Sequence, residues 1–227
     1  MHVNCLRLDR TKLAVEIIER LRKAADGMIE PAASQIVEEF GKNPFLVLVS
    51  CILSLRTKDA VSLAASRRLF QLAKTPQGVL KLGVEKIQEV IYPVGFYRNK
   101  AKSLCGISKE LIERFGGKVP SNEADLLSLK GVGRKTANLV LGEGFGVPAI
   151  CVDTHVHRIS NRLGLVKTKT PEATEKALKE FLPQKYWVEY NRLLVTWGQN
   201  ICMPISPFCS KCVLYKCCKR VGVAKKR

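Results

Sequence analysis

The stretch "LKGVGRKTANLVL", residues 129–141, reads as a tight turn that leads into an apolar helix. Glycines at positions 131 and 133 let the backbone turn sharply and approach a ligand without a Cβ in the way. Free N–H groups at the start of the following helix would point at an anion. The stretch therefore predicts a helical hairpin that binds an anion, with two cations, Arg134 and Lys135, directly after the turn.

The spacing within this hairpin excludes two common nucleotide-binding loops. A Walker A loop needs Gly-Lys-Ser/Thr without interruption, whereas Arg134 separates Gly133 from Lys135. A dinucleotide fingerprint needs a third glycine, and position 136 is Thr. A DNA phosphate is therefore favoured over a nucleotide cofactor. The stretch alone leaves a second interpretation open, in which it is only a glycine-rich turn between packed helices.

The rest of the chain predicts an all-α protein of about ten helices joined by short loops. Apolar residues recur at three- and four-residue spacing in "TKLAVEIIERLRKA", residues 11–24, as in an amphipathic helix. The stretch "VPAICVDTHV", residues 147–156, is the only one that resembles a strand. Three further helix starts are predicted by an N-cap residue followed by proline. These pairs are Asn43-Pro44, Thr75-Pro76 and Thr170-Pro171.

The charge of the chain predicts a polyanionic partner. Its 227 residues include 38 Lys and Arg against 20 Asp and Glu, a net charge of +18. A nucleic-acid partner is favoured. The alternative is that the excess charge only keeps the surface solvated. No apolar run approaches the roughly 20 residues that span a bilayer, and the N-terminus lacks a secretory signal. We therefore expect a cytoplasmic protein, nucleoid-associated if the source is prokaryotic, with no membrane partner.

A second candidate site lies downstream in "CVDTHVHRISNRLGL", residues 151–165. Asp153 precedes a predicted helix start, so it is either an N-cap or a carboxylate that lies beside Lys135 once the chain folds back. Lysine attacks sugar carbons when its pKa is lowered, which a helix N-terminus, Arg134 and partial burial would favour. A nearby carboxylate stabilises a sugar oxocarbenium cation or moves protons. His155 could be a base or a capping residue, and the sequence leaves both open.

Five cysteines crowd into one segment near the C-terminus. Four of them follow the spacing Cys202-x6-Cys209-x2-Cys212-x5-Cys218, which suits zinc or a [4Fe–4S] cluster. A compact run with a single C-x2-C pair favours the cluster and leaves Cys217 as a spare thiol, although spacing alone would also allow Cys217 as the fourth ligand. The remaining cysteines are scattered. We expect free thiols there, mostly buried as small hydrophobes, because the other signs indicate a reducing compartment.

Together these segments resemble the endonuclease III family of helix–hairpin–helix DNA glycosylases, which carry a C-terminal [4Fe–4S] loop. The resemblance runs from "NPFLVLVSCILSLRTKDAV", residues 43–61, to "CSKCVLYKCC", residues 209–218. It rests on four features that occur in the same order as in the family. These are "VGFYRNKA", residues 94–101, the hairpin at residues 129–141, "VDTHVHRISNRLGL", residues 152–165, and the cysteine spacing.

The resemblance implies two helical domains that flank a DNA-binding cleft, in a monomer. A six-helix barrel with the helix–hairpin–helix motif would span residues 37–147. Residues 1–36 and 148–227 would form a discontinuous domain that holds the [4Fe–4S] cluster.

The resemblance also implies roles for individual residues. Lys135 would be the nucleophile and Asp153 the assisting carboxylate. Arg56 stands where many members have a glutamine that fills the gap left by a flipped base, and Phe96 would be the apolar wedge, with a core aromatic as its alternative. Phosphate binding is implied for Gly131, Val132, Gly133 and Arg134, a further DNA contact for His155, and cluster ligation for Cys202, Cys209, Cys212 and Cys218.

The implied activity is that of a bifunctional DNA glycosylase and AP lyase. It would act on double-stranded DNA that contains a damaged base or an abasic site, with oxidised pyrimidines as the damaged bases. Two alternatives stay open: a glycosylase for uracil or thymine mispaired with guanine on the same fold, and a non-catalytic iron–sulfur DNA-binding protein. Arg56 in place of glutamine leaves the choice of opposite base open, because arginine prefers guanine edges.

Overall fold

The computed structural model describes residues 9–227, which form eleven α-helices and no β-strand. The predicted all-α fold is confirmed. The stretch that resembled a strand, residues 147–156, runs as irregular backbone into the start of a helix. Within the described residues, no helix is both long enough and apolar enough to cross a membrane.

The chain divides into two compact units. The first spans residues 31–147, and the second combines the N-terminal segment through Glu30 with residues 148–227. The first unit contains α2 (Ala32–Phe40), α3 (Pro44–Ser54), α4 (Asp59–Leu72), α5 (Pro76–Ile91), α6 (Tyr97–Phe115), α7 (Glu123–Ser128) and α8 (Arg134–Leu139). The second contains α1 (Arg10–Ala24), α9 (Thr154–Leu163), α10 (Pro171–Lys179) and α11 (Trp187–Asn200).

Helix α3 is the centre of the first unit. Every residue from 45 to 53 is buried, as expected of a helix that is apolar on all sides. Asn43 begins it as predicted, because its Oδ1 accepts hydrogen bonds from the N–H groups of Phe45 at 3.1 Å and Leu46 at 3.3 Å. Pro44 takes the first helical position, where its missing N–H costs nothing.

Helix α2 packs on α3 and α4, and the first unit begins at Pro31, so the predicted domain boundary at residue 37 falls inside this helix. At one end, Asp59 Oδ2 accepts a hydrogen bond from the N–H of Ala32 at 3.3 Å. At the other, the rings of Phe40 and Phe70 meet edge to face, with centroids 5.4 Å apart.

Helix α11 is the centre of the second unit, where Tyr190 and Trp197 are fully buried. Helix α9 packs on it, and Ser160 and Tyr190 join the two through a hydrogen bond of 2.8 Å between their hydroxyl oxygens. Because α9 is fixed along this side, Asp153 at its N-terminus is carried by a packed element rather than by a loose loop.

Candidate active site

The predicted hairpin is formed by α7, a turn from Leu129 to Gly133, and α8, which continues as a π-helical segment, Val140–Phe145. Gly131 has φ +90°, a conformation that favours glycine. Val132 is buried, and its N–H donates to the carbonyl of Leu129 at 3.1 Å. Val132 therefore anchors the turn, and neither its side chain nor its N–H faces outward to a phosphate.

Gly133 caps the start of α8 with an ordinary φ of −95°. A Cβ added at this position would meet nothing within 4 Å. The fold itself therefore does not require glycine at position 133. What the glycine preserves is unobstructed backbone at a helix start, which is what a close-lying anion needs.

The two cations that follow the turn are both exposed. Arg134 lies 3.8 Å from a carboxylate oxygen of Glu123. The expected partial burial of Lys135 is wrong, because this side chain leaves the first turn of α8 towards solvent. Lys135 nevertheless interacts electrostatically with the buried Cys51. Burial raises the pKa of the Cys51 thiol to about 12, and the positive charge of Lys135 opposes that rise.

Arg56 and Phe96 lie together on the first unit. The Arg56 guanidinium lies 6.0 Å from the centroid of the Phe96 ring. Both residues have left-handed backbone, with φ of 52° and 58°. Phe96 is 60% exposed, so the alternative of a core aromatic is wrong. Gly95 lets the two turns touch, because a Cβ there would lie 2.9 Å from the carbonyl oxygen of Arg56.

Lys100 was not predicted as a site residue, yet it is the buried cation of this region. Its side chain is 6% exposed, and Nζ donates to the carbonyls of Leu53 at 2.9 Å and Leu55 at 2.5 Å and to the Thr57 hydroxyl at 2.9 Å. Burial lowers its pKa to about 8. The available signal was its place on the apolar face of α6, four residues before Leu104.

Asp153 is the N-cap of α9, which confirms one of its two predicted roles. Its Oδ1 accepts hydrogen bonds from the N–H groups of His155 and Val156, each at 2.9 Å. Both capping bonds use the same oxygen, so Oδ2 takes no part in the cap. The carboxylate is half-buried. A catalytic role for Asp153 stays a prediction.

His155 belongs to a packed network rather than to an open surface. Its ring lies against α11, where a Cβ on Gly198 would overlap Nδ1. The Arg158 guanidinium lies 3.2 Å from the same nitrogen and donates to the carbonyl of Cys202 at 2.8 Å. These contacts give His155 a structural role, and its DNA contact stays a prediction.

The four cysteines predicted as ligands line one small cavity in the second unit. Burial raises the pKa of Cys218 to about 11, and the nearby thiols of Cys212 and Cys202 raise it further. Burial also raises the pKa of Cys212, with Cys202 and Cys209 adding to the rise. The sulfur atoms are therefore close enough to repel one another when ionised, which a bound cationic group would relieve.

N–H groups lie against two of these sulfur atoms, those of Cys202 and Cys218. Arg162 Nη1 lies 3.4 Å from Cys202 Sγ, and the backbone N–H of Arg220 donates to Cys218 Sγ at 3.3 Å. Arg162 also donates to the carbonyls of Met203 and Pro204 at 2.7 and 2.6 Å. Sequence reasoning missed Arg162, whose only signal was a position four residues after Arg158 on the same helix. Across residues 9–227, no three His, Cys, Asp or Glu side chains form the geometry of a metal-ion site.

Cys217 differs from the expected free thiol, because it is disulfide-bonded and 1% exposed. The short 3₁₀ turn Tyr215–Cys217 places it in the core, whereas Cys218 lines the cavity. Cys51 and Cys151 are buried free thiols, as predicted.

Three comparisons place these features among known proteins. Residues 49–184 match the family described as HhH-GPD superfamily base excision DNA repair protein. The chain is 49% identical to endonuclease III of Thermotoga maritima over 197 residues, which are 85% of this chain and 92% of that protein.

Two solved structures are similar to the chain along most of its length. A non-covalent endonuclease III–DNA complex is 32% identical, with a TM-score of 0.81 over 94% of this chain and 96% of that one. A trapped endonuclease III–DNA covalent intermediate, an estranged-adenine complex, is 34% identical, with a TM-score of 0.74 over 83% of this chain and 93% of that one.

The chain therefore belongs to the endonuclease III family within the HhH-GPD superfamily of base excision DNA repair proteins. It is a DNA glycosylase/AP lyase, and damaged DNA is its partner. The alternative of a non-catalytic DNA-binding protein is thereby removed.

Proposed function

We propose that the enzyme removes oxidised pyrimidines from double-stranded DNA and then cleaves the strand, with Lys135 as the nucleophile and Asp153 as the assisting carboxylate. The observation that carries the proposal is the exposed Lys135 at the first turn of α8, directly after the open glycine turn. The solved endonuclease III–DNA covalent intermediate supports a covalent route.

The reaction begins with the damaged base flipped out of the duplex. The uncharged Lys135 amine attacks C1′ of the sugar, the glycosidic bond breaks, and the base leaves with the bonding electron pair and takes up a proton. The sugar ring opens to a Schiff base on Lys135. Loss of a proton from C2′ then expels the 3′ phosphate by β-elimination. The Asp153 carboxylate stabilises the positive charge that develops on the sugar.

The hairpin binds the DNA backbone next to the reacting sugar. Gly131 and Gly133 leave the turn uncovered, and Arg134 adds a positive charge beside the start of α8. Because Val132 is buried, the phosphate contacts come from Gly131, Gly133 and Arg134. Arg56 fills the position of the extruded base, and Phe96 is the wedge between the neighbouring bases.

We also propose that Cys202, Cys209, Cys212 and Cys218 hold a [4Fe–4S] cluster. Four sulfur donors around one cavity fit this group, and the N–H donors on Cys202 and Cys218 are of the kind that tune such clusters. When bound, the cluster supplies a covalent cross-link across residues 202–218. Arg158 and Arg162 join that loop to α9, the helix that Asp153 caps.

The cluster proposal predicts a yellow-brown protein with broad absorbance near ~400 nm and about four iron atoms per chain. Cys202→Ser should lose most of this absorbance, because it removes one of the four ligands. Cys105→Ser is the matched control, since Cys105 is a free thiol on α6, outside the cavity. Stoichiometric zinc without iron would contradict the proposal.

The net charge predicts a steep salt dependence of DNA binding. The affinity for undamaged duplex, measured by fluorescence anisotropy, should fall with a log–log slope of about −0.9 per phosphate contacted. A flat response between low and physiological salt would show that the excess of Lys and Arg serves another purpose.

A panel of duplexes tests the substrate proposal. Each duplex carries one lesion, either an oxidised pyrimidine, uracil opposite guanine, or thymine opposite guanine, and borohydride is present to trap the Schiff base. We expect covalent adducts with the oxidised pyrimidines. Adducts formed only with the mismatched uracil or thymine would show that the proposed substrate class is wrong, while the proposed attack by lysine would stand.

We also propose that the enzyme acts as a cytoplasmic monomer.

A further inference from the structure

The turn that carries Arg56 is held by one buried cation. Arg56 has left-handed backbone, a strained conformation that a residue other than glycine keeps only when its surroundings hold it. The turn follows the end of α3, where helix carbonyls lack partners within the helix. Lys100 Nζ binds the carbonyls of Leu53 and Leu55 on either side of Ser54, together with the Thr57 hydroxyl just beyond Arg56.

The same lysine also begins the helix that carries Phe96. The backbone N–H of Lys100 donates to the carbonyl of Phe96 at 3.0 Å, which closes the first turn of α6. The main chain of Lys100 is thus hydrogen-bonded to Phe96. Its side chain is hydrogen-bonded to Leu55 and Thr57, the two neighbours of Arg56. Gly95 completes the contact between the two turns, because its missing Cβ leaves room for the carbonyl of Arg56.

We propose that Lys100 is a positioning residue that fixes the Arg56 turn against the Phe96 turn, so that both side chains enter the duplex as one preformed probe. The inference rests on the proposed roles of Arg56 and Phe96 in base extrusion. Lys100 itself does not touch DNA, since it is buried. Its effect is to remove the cost of ordering two exposed turns at the moment of insertion.

Lys100→Met tests this role, because methionine keeps the apolar stem and removes the three hydrogen bonds. Lys102→Met is the matched control, since Lys102 is an exposed lysine on the same helix. Two rates are compared: base removal from a lesion duplex in a single turnover, and borohydride trapping on single-stranded abasic DNA. The second substrate has no partner strand, so it needs no probe.

We expect Lys100→Met to slow base removal from duplex by at least about tenfold, the equivalent of about 1.4 kcal/mol. Trapping on single-stranded abasic DNA should stay within about twofold of the wild type, and Lys102→Met should match the wild type on both substrates. Duplex base removal within about twofold of the wild type would overturn the proposal. An equal loss on both substrates would overturn it too, because a general loss of structure acts that way.

A double-mutant cycle separates positioning from stability. In an Arg56→Ala/Phe96→Ala background the probe is already absent, so adding Lys100→Met should cost no more than about twofold on duplex. A further tenfold loss in that background would overturn the proposal. Gly95→Ala is a second variant that separates the turns without touching Lys100, and it should show the same selective loss on duplex. If the wild type forms no adduct on single-stranded abasic DNA, the failure lies in the proposed nucleophile and not in Lys100.

Discussion

Replacing Lys135 by glutamine is expected to lower the rate of strand cleavage at abasic sites by at least about 10³-fold. Glutamine carries an amide nitrogen that cannot form a Schiff base, and no binding contact can compensate for a missing covalent step. The stability of the protein should change by no more than about 0.5 kcal/mol, because the Lys135 side chain is exposed. Gel assays on an abasic duplex and thermal unfolding measure the two quantities.

Lys130→Gln is the matched control for this variant. Lys130 is an exposed lysine in the same hairpin, so its replacement removes the same charge near the same DNA backbone. We expect it to weaken DNA binding slightly and to leave the cleavage rate at saturating enzyme unchanged. An equal loss of rate in both variants would show that charge, and not covalent chemistry, explains the effect.

Replacing Asp153 by asparagine is expected to slow base removal by about 10²–10⁴-fold and to leave the stability nearly unchanged. Asparagine caps helices about as well as aspartate, so the bonds to the N–H groups of His155 and Val156 can persist. What asparagine removes is the negative charge that would face the developing sugar cation. Single-turnover base removal from a lesion duplex measures the effect.

Asp153→Ala completes this comparison, because it removes both the cap and the charge. It should slow base removal as much as asparagine does and should in addition lower the free energy of unfolding by about 1 kcal/mol. If Asp153→Asn removes bases at the wild-type rate, the carboxylate is a cap only, and its proposed chemical role is wrong.

The sequence was most informative where one residue type has few structural uses. Asn43 before Pro44 predicted the start of the central helix, and the structure confirms it through two capping bonds. The glycines at 131 and 133 predicted the hairpin, although only Gly131, with φ +90°, has a backbone conformation that favours glycine. Membership of the family then followed from several such segments in one order.

The tertiary environment of single side chains could not be predicted in the same way. Lys135 was expected to be partly buried, yet the first turn of α8 directs it to solvent. Lys100 looked like one more basic residue, because the carbonyls that it binds lie more than forty positions earlier in the chain. Cys217 and Cys218 differ by one position, and only the 3₁₀ turn Tyr215–Cys217 decides which one lines the cavity.

The central claim is that Lys135 forms the covalent intermediate, and the most direct measurement is to locate the trapped adduct. Wild-type protein is reduced with borohydride on an abasic duplex, digested with a protease and a nuclease, and analysed by mass spectrometry. We predict a single modified peptide that carries the sugar remnant on Lys135. An adduct on Lys130, or on any other amine with Lys135 unmodified, would contradict the account.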